Sequence, residues 1–544
     1  MESASNHGTL SLWYADKAEA EAGRTPLVRD STADVCIIGA GIAGLAVAYQ
    51  LALEGRKVVV IDDGLIGGGE TGRSTAHLAS AVDDRFYRIE SVHGARAAQL
   101  CYESHAAAID WYEATAARED IKCDFERLDG YLFLPPGESR DLIDREFEAA
   151  RRAGVRGVRP LARAPLSAFD TGPCICFPRQ GQIDPLAFLL GLAKAIERHG
   201  GRIHCRTSAT QIEDKNGLSV RCANGVRIRA ESVVVATNSP INTMLAMHTK
   251  QHAYRTYAIA LPLTPGAMPP ALFWDTSQTA GESGAYHYVR LQRRTQAVEN
   301  GHAGGEEILI VGGEDHKTGQ ADDAQQRWGR LEEWAIERFP VAGPARFHWS
   351  GQVMEPVDGL AFIGRSPGGP EGVFVVTGDS GQGMTHSGIA GMLLGDLIHG
   401  RPNEWADLYE PSRKSLRTIG EYTRENLNMA AQYFDWLRPG DVESVEEIAA
   451  GEGALVRKGL KMLACYRDDT GALHECSATC PHLGGIVQWN SAESTWDCPC
   501  HGSRFDAYGK VLNGPANSPL APADAMEAEK EHPKAEATTG GNRR

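Results

Sequence analysis

From Asp34 onward, short continuous apolar runs alternate with glycine-rich breaks. Asp34-Val35-Cys36-Ile37-Ile38 and Val58-Val59-Val60-Ile61 predict two strands buried on both faces. Between them, Gly39-Ala40-Gly41-Ile42-Ala43-Gly44-Leu45 opens a helix. Ser232-Val233-Val234-Val235-Ala236 predicts another buried strand. Pro185 to His199, closed by Gly200-Gly201, predicts a helix. Tyr257-Ala258-Ile259-Ala260-Leu261 and Tyr286-His287-Tyr288-Val289-Arg290-Leu291 suit a mostly antiparallel sheet. Residues 403–433 are polar with a helical pattern, and Arg438-Pro439-Gly440-Asp441 marks a boundary. From Pro522 the composition turns to Ala, Glu, Lys and Gly, which predicts a disordered tail.

These breaks divide the chain into a lead-in (1–32), a large domain (33–402), a helical connector (403–438), a small C-terminal domain (439–521) and the tail (522–544). In the lead-in, Ser11-Leu12-Trp13 is expected to pack on the body. Within the large domain, about 126–170 and 246–349 are the candidate substrate segments.

Strand, glycines, helix and second strand end at Asp62, eighteen residues after Gly44. That order defines a dinucleotide-binding unit. Gly39, Gly41 and Gly44 would admit a pyrophosphate to the helix N-terminus, where Ile42 and Ala43 begin the first turn. Asp62 can accept from the adenosine ribose. The competing reading is a glycine-rich packing turn.

Three further motifs follow: Gly69-Glu70-Thr71-Gly72-Arg73-Ser74-Thr75-Ala76-His77, the strand ending at Ala236-Thr237-Asn238, and Pro356 to Gly364 preceding Gly378-Asp379-Ser380-Gly381-Gln382-Gly383-Met384-Thr385. With the first motif, the set resembles the D-amino-acid oxidase superfamily, related to sarcosine and glycine oxidases, over about residues 33–400. The resemblance implies FAD, an α/β Rossmann-like FAD-binding domain, and an inserted antiparallel-sheet substrate domain. It places Thr71, Arg73, Ser74, Thr75 and Ala236 beside the cofactor. It also makes Gly378, Gly381, Gly383, Met384 and Thr385 a helix N-terminus near the flavin, where the dipole favours the reduced anion. His77 is either a covalent flavin attachment point or a pocket histidine satisfied by a carbonyl.

Near the C-terminus, Cys480-Pro481-His482 is followed after fifteen residues by Cys498-Pro499-Cys500-His501. Two thiolates on one iron and two imidazoles on the other form the ligand set of a Rieske [2Fe–2S] cluster. Tetrahedral zinc is the competing reading, although zinc clips usually pair like with like. The glycines after each pair, and Gly514-Pro515-Ala516 as a covering proline loop, resemble the Rieske family over 439–520. The metal ligands are then Cys480, His482, Cys498 and His501, in a small all-β domain. Some relatives carry a disulfide between the two loops, but here Gly485 stands opposite Cys500, so Cys500 is expected to be a buried free thiol. Ser503 is present, whereas the position of a sulfur-bonding Tyr holds Phe505. Fewer hydrogen bonds to sulfur predict a potential in the lower part of the range of about −150 to +300 mV.

A net charge of −16 over 544 residues argues against nucleic acid and anionic membrane surfaces. No eighteen-residue apolar run and no apolar leader segment are present, and twelve Cys then suggest reduced thiols, so a cytoplasmic location is expected. Catalytic residues leave little trace. Arg290 is a candidate carboxylate clamp or a surface ion pair, and Lys317 is a candidate oxygen-promoting lysine or a solvated one.

A two-electron flavin fused to a one-electron cluster suggests a dehydrogenase of a small amine or amino acid, passing electrons through the cluster to an unknown external acceptor. Three rivals stand beside it. An NAD(P)H-fed Rieske reductase would need a second dinucleotide fold. A Rieske oxygenase would need two His and a carboxylate for mononuclear iron, with His248 and His252 the nearest pair. A non-catalytic electron-transfer protein is the third.

Overall fold

The computed structural model describes residues 9–14, 24–135, 139–215, 217–241, 245–276, 287–295, 305–414 and 416–523. Tyr286 and the tail beyond 523 lie outside them. The first sheet is built on parallel pairing. Ser31–Ile38 lies between Val58–Ile61 and Arg227–Val235, with Arg202–His204 beyond the former and Val373–Thr377 beyond the latter. Val58–Ile61 and Val373–Thr377 are buried along their whole length, which explains their unbroken apolar sequence. The helices Ile42–Leu53 and Gly383–Ile398 pack on one another. Their crossing is close: a Cβ at Gly391 would lie 3.0 Å from the Ala46 carbonyl oxygen.

The second sheet has nine strands in the order Phe347–Pro356, Gln251–Pro262, Gly305–Lys317, His287–Thr295, Leu272–Asp275, Glu126–Phe133, Cys174–Gln182, His77–Leu78, with Arg159–Leu161 at the side. All pairs are antiparallel except Leu272–Asp275 with Glu126–Phe133. The sheet reaches beyond the expected segments 126–170 and 246–349. It takes in Cys174–Gln182, Phe347–Pro356 and the His77–Leu78 end of the second motif, because their backbones complete its ladders. The sheet therefore begins within the motif assigned to FAD.

Residues Ile419–Ala431 form an α-helix and Gln432–Leu437 a 3-10 helix, as the polar helical pattern predicts. The C-terminal domain has two antiparallel sheets: Gly453–Lys458, Lys461–Arg467 and Leu473–Ser477; then Gln488–Asn490, Thr495–Asp497, Arg504–Asp506 and Val511–Asn513. The lead-in segment does pack on the body. Trp13 Nε1 donates to Ser74 O at 2.7 Å, and Ser11 Oγ donates to Gly72 O at 2.5 Å. Among the described residues, no helix is long and apolar enough to cross a membrane.

Candidate functional site

A cavity of about 1750 Å³ runs from the first glycine loop, past the second sheet, to the C-terminal domain. It exceeds the roughly 300–1,000 Å³ of an ordinary small-molecule pocket, as a large cofactor plus a substrate would require. Its dinucleotide end is shaped by close backbone approach. Gly39 has φ +113°, and a Cβ there would lie 2.3 Å from Ala236 O; a Cβ at Gly44 would lie 1.9 Å from Gly39 O. Gly41 caps Ile42–Leu53 without a side-chain hydrogen bond, leaving the helix N-terminus open to an anion. Ile42 N, in its first turn, donates to Thr71 Oγ1 at 3.0 Å. Asp62 accepts from Ala40 N (2.6 Å) and Gly64 N (2.8 Å). Burial first, then adjacent Asp63, pushes its pKa up to about 7.

The second motif contains a 3-10 turn, Glu70–Arg73. Arg73 is buried, donating to Ser350 O at 2.9 Å and to Glu493 of the C-terminal domain at 3.2 Å, while its carbonyl accepts from Trp349 Nε1 at 2.7 Å. Ser74 Oγ accepts from Ala76 N at 2.9 Å. His77 Nδ1 lies 3.1 Å from Thr75 Oγ1 and Nε2 lies 3.4 Å from Val289 O, so both ring nitrogens have protein partners. Burial, then Arg290, lowers its pKa to about 3.

At the other side of the cavity, Gly383–Ile398 begins after Gln382, again without a side-chain cap. Gly378 and Gly381 have φ of +71° and +69°, which a glycine adopts freely. Met384 O accepts from Tyr112 OH at 2.7 Å, and Thr385 Oγ1 lies 2.8 Å from His105 Nδ1. Those two contacts anchor the helix start, and Gly383, Met384 and Thr385 line the cavity.

The two catalytic candidates are engaged elsewhere. Arg290 is fully buried and donates to the carbonyls of Thr75, Ala76 and Ile183, each at 3.0 Å. It braces the second motif and is neither a surface ion pair nor a cavity-lining clamp. Lys317 lines the cavity but pairs with Glu425 of the connector helix at 2.6 Å. The sequence did not single out Thr256, Tyr288 and Asp315, which line the cavity from the second sheet. Thr256 Oγ1 and Tyr288 OH are 2.7 Å apart. Burial raises the Asp315 pKa to about 6, opposed by a hydrogen bond from Thr256.

In the C-terminal domain, each Cys–His pair lies on a loop closed by the same two backbone bonds. Gly484 N donates to Cys480 O (3.0 Å) and Cys480 N to Gly485 O (2.8 Å); Gly502 N donates to Cys498 O (3.0 Å) and Cys498 N to Ser503 O (2.8 Å). The loops bring the Cys480 and Cys498 thiols into hydrogen-bonding contact and set the His482 and His501 rings 5.0 Å apart. The four side chains divide into a thiol pair and an imidazole pair, the division of donors that a [2Fe–2S] cluster with two thiolates on one iron and two imidazoles on the other uses. Cys500 is buried and free, and a Cβ at Gly485 would lie 2.5 Å from its sulfur. Ser503 Oγ accepts from Ala516 N of the proline loop at 3.0 Å, and Phe505 is fully buried.

The cluster loops sit on the larger domain. His248, at the end of the helix Leu245–His248, is edge-on to His482 and His501, with centroids 4.6 and 5.7 Å away. His252 lies on the adjoining strand with Nδ1 4.0 Å from Glu425. The two therefore form no iron site with a carboxylate; one faces the cluster ligands and the other the connector. Behind the loops lies a buried ionic network. Glu493 pairs with Arg255 of the second sheet, with Arg73 and with Arg504 (2.7 Å), and Arg504 pairs with Asp497 (2.9 Å). Burial and then Arg504 lower the Arg255 pKa, while Glu493 and Asp497 oppose this.

The family of FAD dependent oxidoreductases (DAO) matches residues 34–397, and the Rieske [2Fe-2S] domain matches residues 438–524. The chain belongs to the DAO family of FAD dependent oxidoreductases and carries a C-terminal Rieske domain. Its cofactors are FAD and a [2Fe–2S] cluster, and it is an oxidoreductase. It is 29% identical over 92% of its length to the Bacillus subtilis (strain 168) protein named "Putative Rieske 2Fe-2S iron-sulfur protein YhfW", covering 94% of that protein. It is 25% identical to the gamma-glutamylputrescine oxidoreductase of Escherichia coli (strain K12) over 72% of this chain and 89% of that one. The fold is like that of glycine oxidase from Geobacillus kaustophilus (TM-score 0.57, 18% identity, 71% of this chain and 99% of that one).

Proposed function

We propose that the protein is a dehydrogenase that oxidises a small amine or amino acid and delivers the electrons through its own Rieske cluster to an external acceptor. When bound, FAD supplies a two-electron acceptor and the cluster a one-electron carrier. The observation that carries this reading is the seat of the cluster loop on the substrate sheet. Gln352, on the strand Phe347–Pro356, lines the cavity and donates to Gly502 O at 3.0 Å, next to the ligand His501. One strand thus borders both redox sites.

An amine is favoured by what the second sheet presents to the cavity. Asp315 lines the cavity, and with a pKa raised only to about 6 it is a carboxylate at neutral pH, which a cationic amine would pair with. Arg290 and Arg327 are both committed to protein groups, Arg327 to Asp323 and Glu314 O. Thr256 and Tyr288 supply hydroxyls to orient the substrate, while Trp274 and His77 wall the site against water. The Escherichia coli relative named for gamma-glutamylputrescine, an amine, agrees with this class. Anaerobic addition of a panel of amines and amino acids, read by flavin absorbance, tests it. Bleaching by an amine supports the reading; bleaching only by NAD(P)H replaces it with a reductase.

A further inference from the structure

The wall of the dinucleotide end is not built by the FAD domain alone. Asp62, Asp63 and Thr207–Thr210 line one side of the cavity, and Lys510, Val511, Leu512, Asn513 and Gly514 of the Rieske domain line the same cavity. The two sides are fastened together. Asn513 Nδ2 donates to Glu70 Oε1 at 2.9 Å, and the other oxygen of Glu70 accepts from Gln352 N at 2.6 Å. A Cβ at Gly514 would lie 3.4 Å from Ser239 O and 3.5 Å from Ile241. The positive charge of Lys510 is close enough to Asp63 to lower the pKa that burial raises there.

Lys510 and Asn513 leave the hairpin of Arg504–Asp506 and Val511–Asn513, the strands that follow the second cluster loop. Asp506 Oδ1 fixes the turn by accepting from Tyr508 N (3.0 Å) and Lys510 N (2.8 Å). The hairpin thereby holds a cation near Asp63, the neighbour of Asp62, and an amide on Glu70, with both side chains lining the cavity that also holds Gly39 and Gly41. A pyrophosphate and ribose hydroxyls are groups that an ammonium and a carboxamide bind.

We propose that the Rieske domain completes the FAD site, with Lys510 and Asn513 contacting the adenosine–pyrophosphate half of the cofactor. The cluster-bearing domain then acts as the outer wall of the FAD pocket as well as an electron carrier.

The test is FAD affinity of the purified holoprotein, read by the fluorescence of released FAD on dilution, with the cluster's visible absorption reporting that the Rieske domain is intact. Lys510→Glu and Asn513→Ala are expected to weaken FAD binding at least fivefold with the cluster spectrum unchanged, and Lys510→Arg to stay within twofold. FAD affinity within twofold of the parent in both weakening variants would overturn the proposal. A second measurement needs no variant: acetylation of Lys510, quantified by mass spectrometry, is expected to be several-fold slower with FAD than after its removal. Equal rates would overturn the proposal equally.

Discussion

Gln352 donates its side-chain amide to the carbonyl of Gly502 at 3.0 Å, one residue past His501, the proposed cluster ligand. Gly502 has φ +77°, and a Cβ there would lie 2.3 Å from Ala253 Cβ. The contact is therefore tight from both sides. Gly502→Ala should push the cluster loop off the sheet. The expected result is cluster reduction at least tenfold slower after flavin photoreduction, with the flavin spectrum unchanged; stopped-flow absorbance measures it.

Glu493 is the hub of the network that joins the two domains. It is 1% exposed and meets Arg73, Arg255 and Arg504. Removing one partner of a buried ionic set costs about 3–5 kcal/mol, because the remaining charges stay buried without compensation. Glu493→Ala should lower the denaturant midpoint followed by cluster absorbance, and Glu493→Gln should do so by less.

The cluster potential follows from its missing hydroxyl. Phe505 is fully buried and has no hydroxyl at the position where the Rieske resemblance implies a sulfur-bonding Tyr, whereas Ser503 retains its hydroxyl. Phe505→Tyr should raise the midpoint potential and Ser503→Ala should lower it. An EPR-monitored redox titration reads both shifts.

His77 hydrogen-bonds through both ring nitrogens, to Thr75 Oγ1 and Val289 O, and we read it as a pocket histidine. Acid precipitation should therefore release all FAD into the supernatant, and yellow protein in the pellet would contradict this.

Acid sensitivity follows from the buried histidines. Burial lowers His77 to about 3, and His252, His316 and His386 to about 4. An unfolded histidine takes up its proton near 6.5 while these folded ones stay neutral, so their contribution to stability is present above 6.5 and is lost as pH falls toward 4. Each contributes at most about 1.4 kcal/mol per pH unit in that window. The unfolding midpoint of the FAD domain should fall steeply from pH 6.5 to 4, and His386→Gln should flatten the curve.

The cofactor motifs were legible because their chemistry is local. Gly39 to Asp62 is one strand–helix–strand unit, and each cluster loop is a few residues long. What joins the cofactors was not legible. Glu493 meets Arg73 and Arg255 across 420 and 238 residues of sequence, within a stretch that reads as a polar turn. Arg290 illustrates the converse. Its place in an apolar strand suggested a ligand clamp, but the carbonyls that engage it belong to the second motif and to Ile183, which no pattern in its own strand reveals. Lys510 and Asn513 lie in the Rieske segment, and only the folded chain brings them to the dinucleotide cavity.

The central claim is that electrons pass from flavin to cluster within one chain. Freeze-quench EPR of the holoprotein, mixed anaerobically with the amine that bleaches its flavin, tests this most directly. The account predicts a rhombic cluster signal that grows after flavin bleaching at a rate independent of protein concentration. A signal that never appears, or whose rate scales with protein concentration, would contradict it.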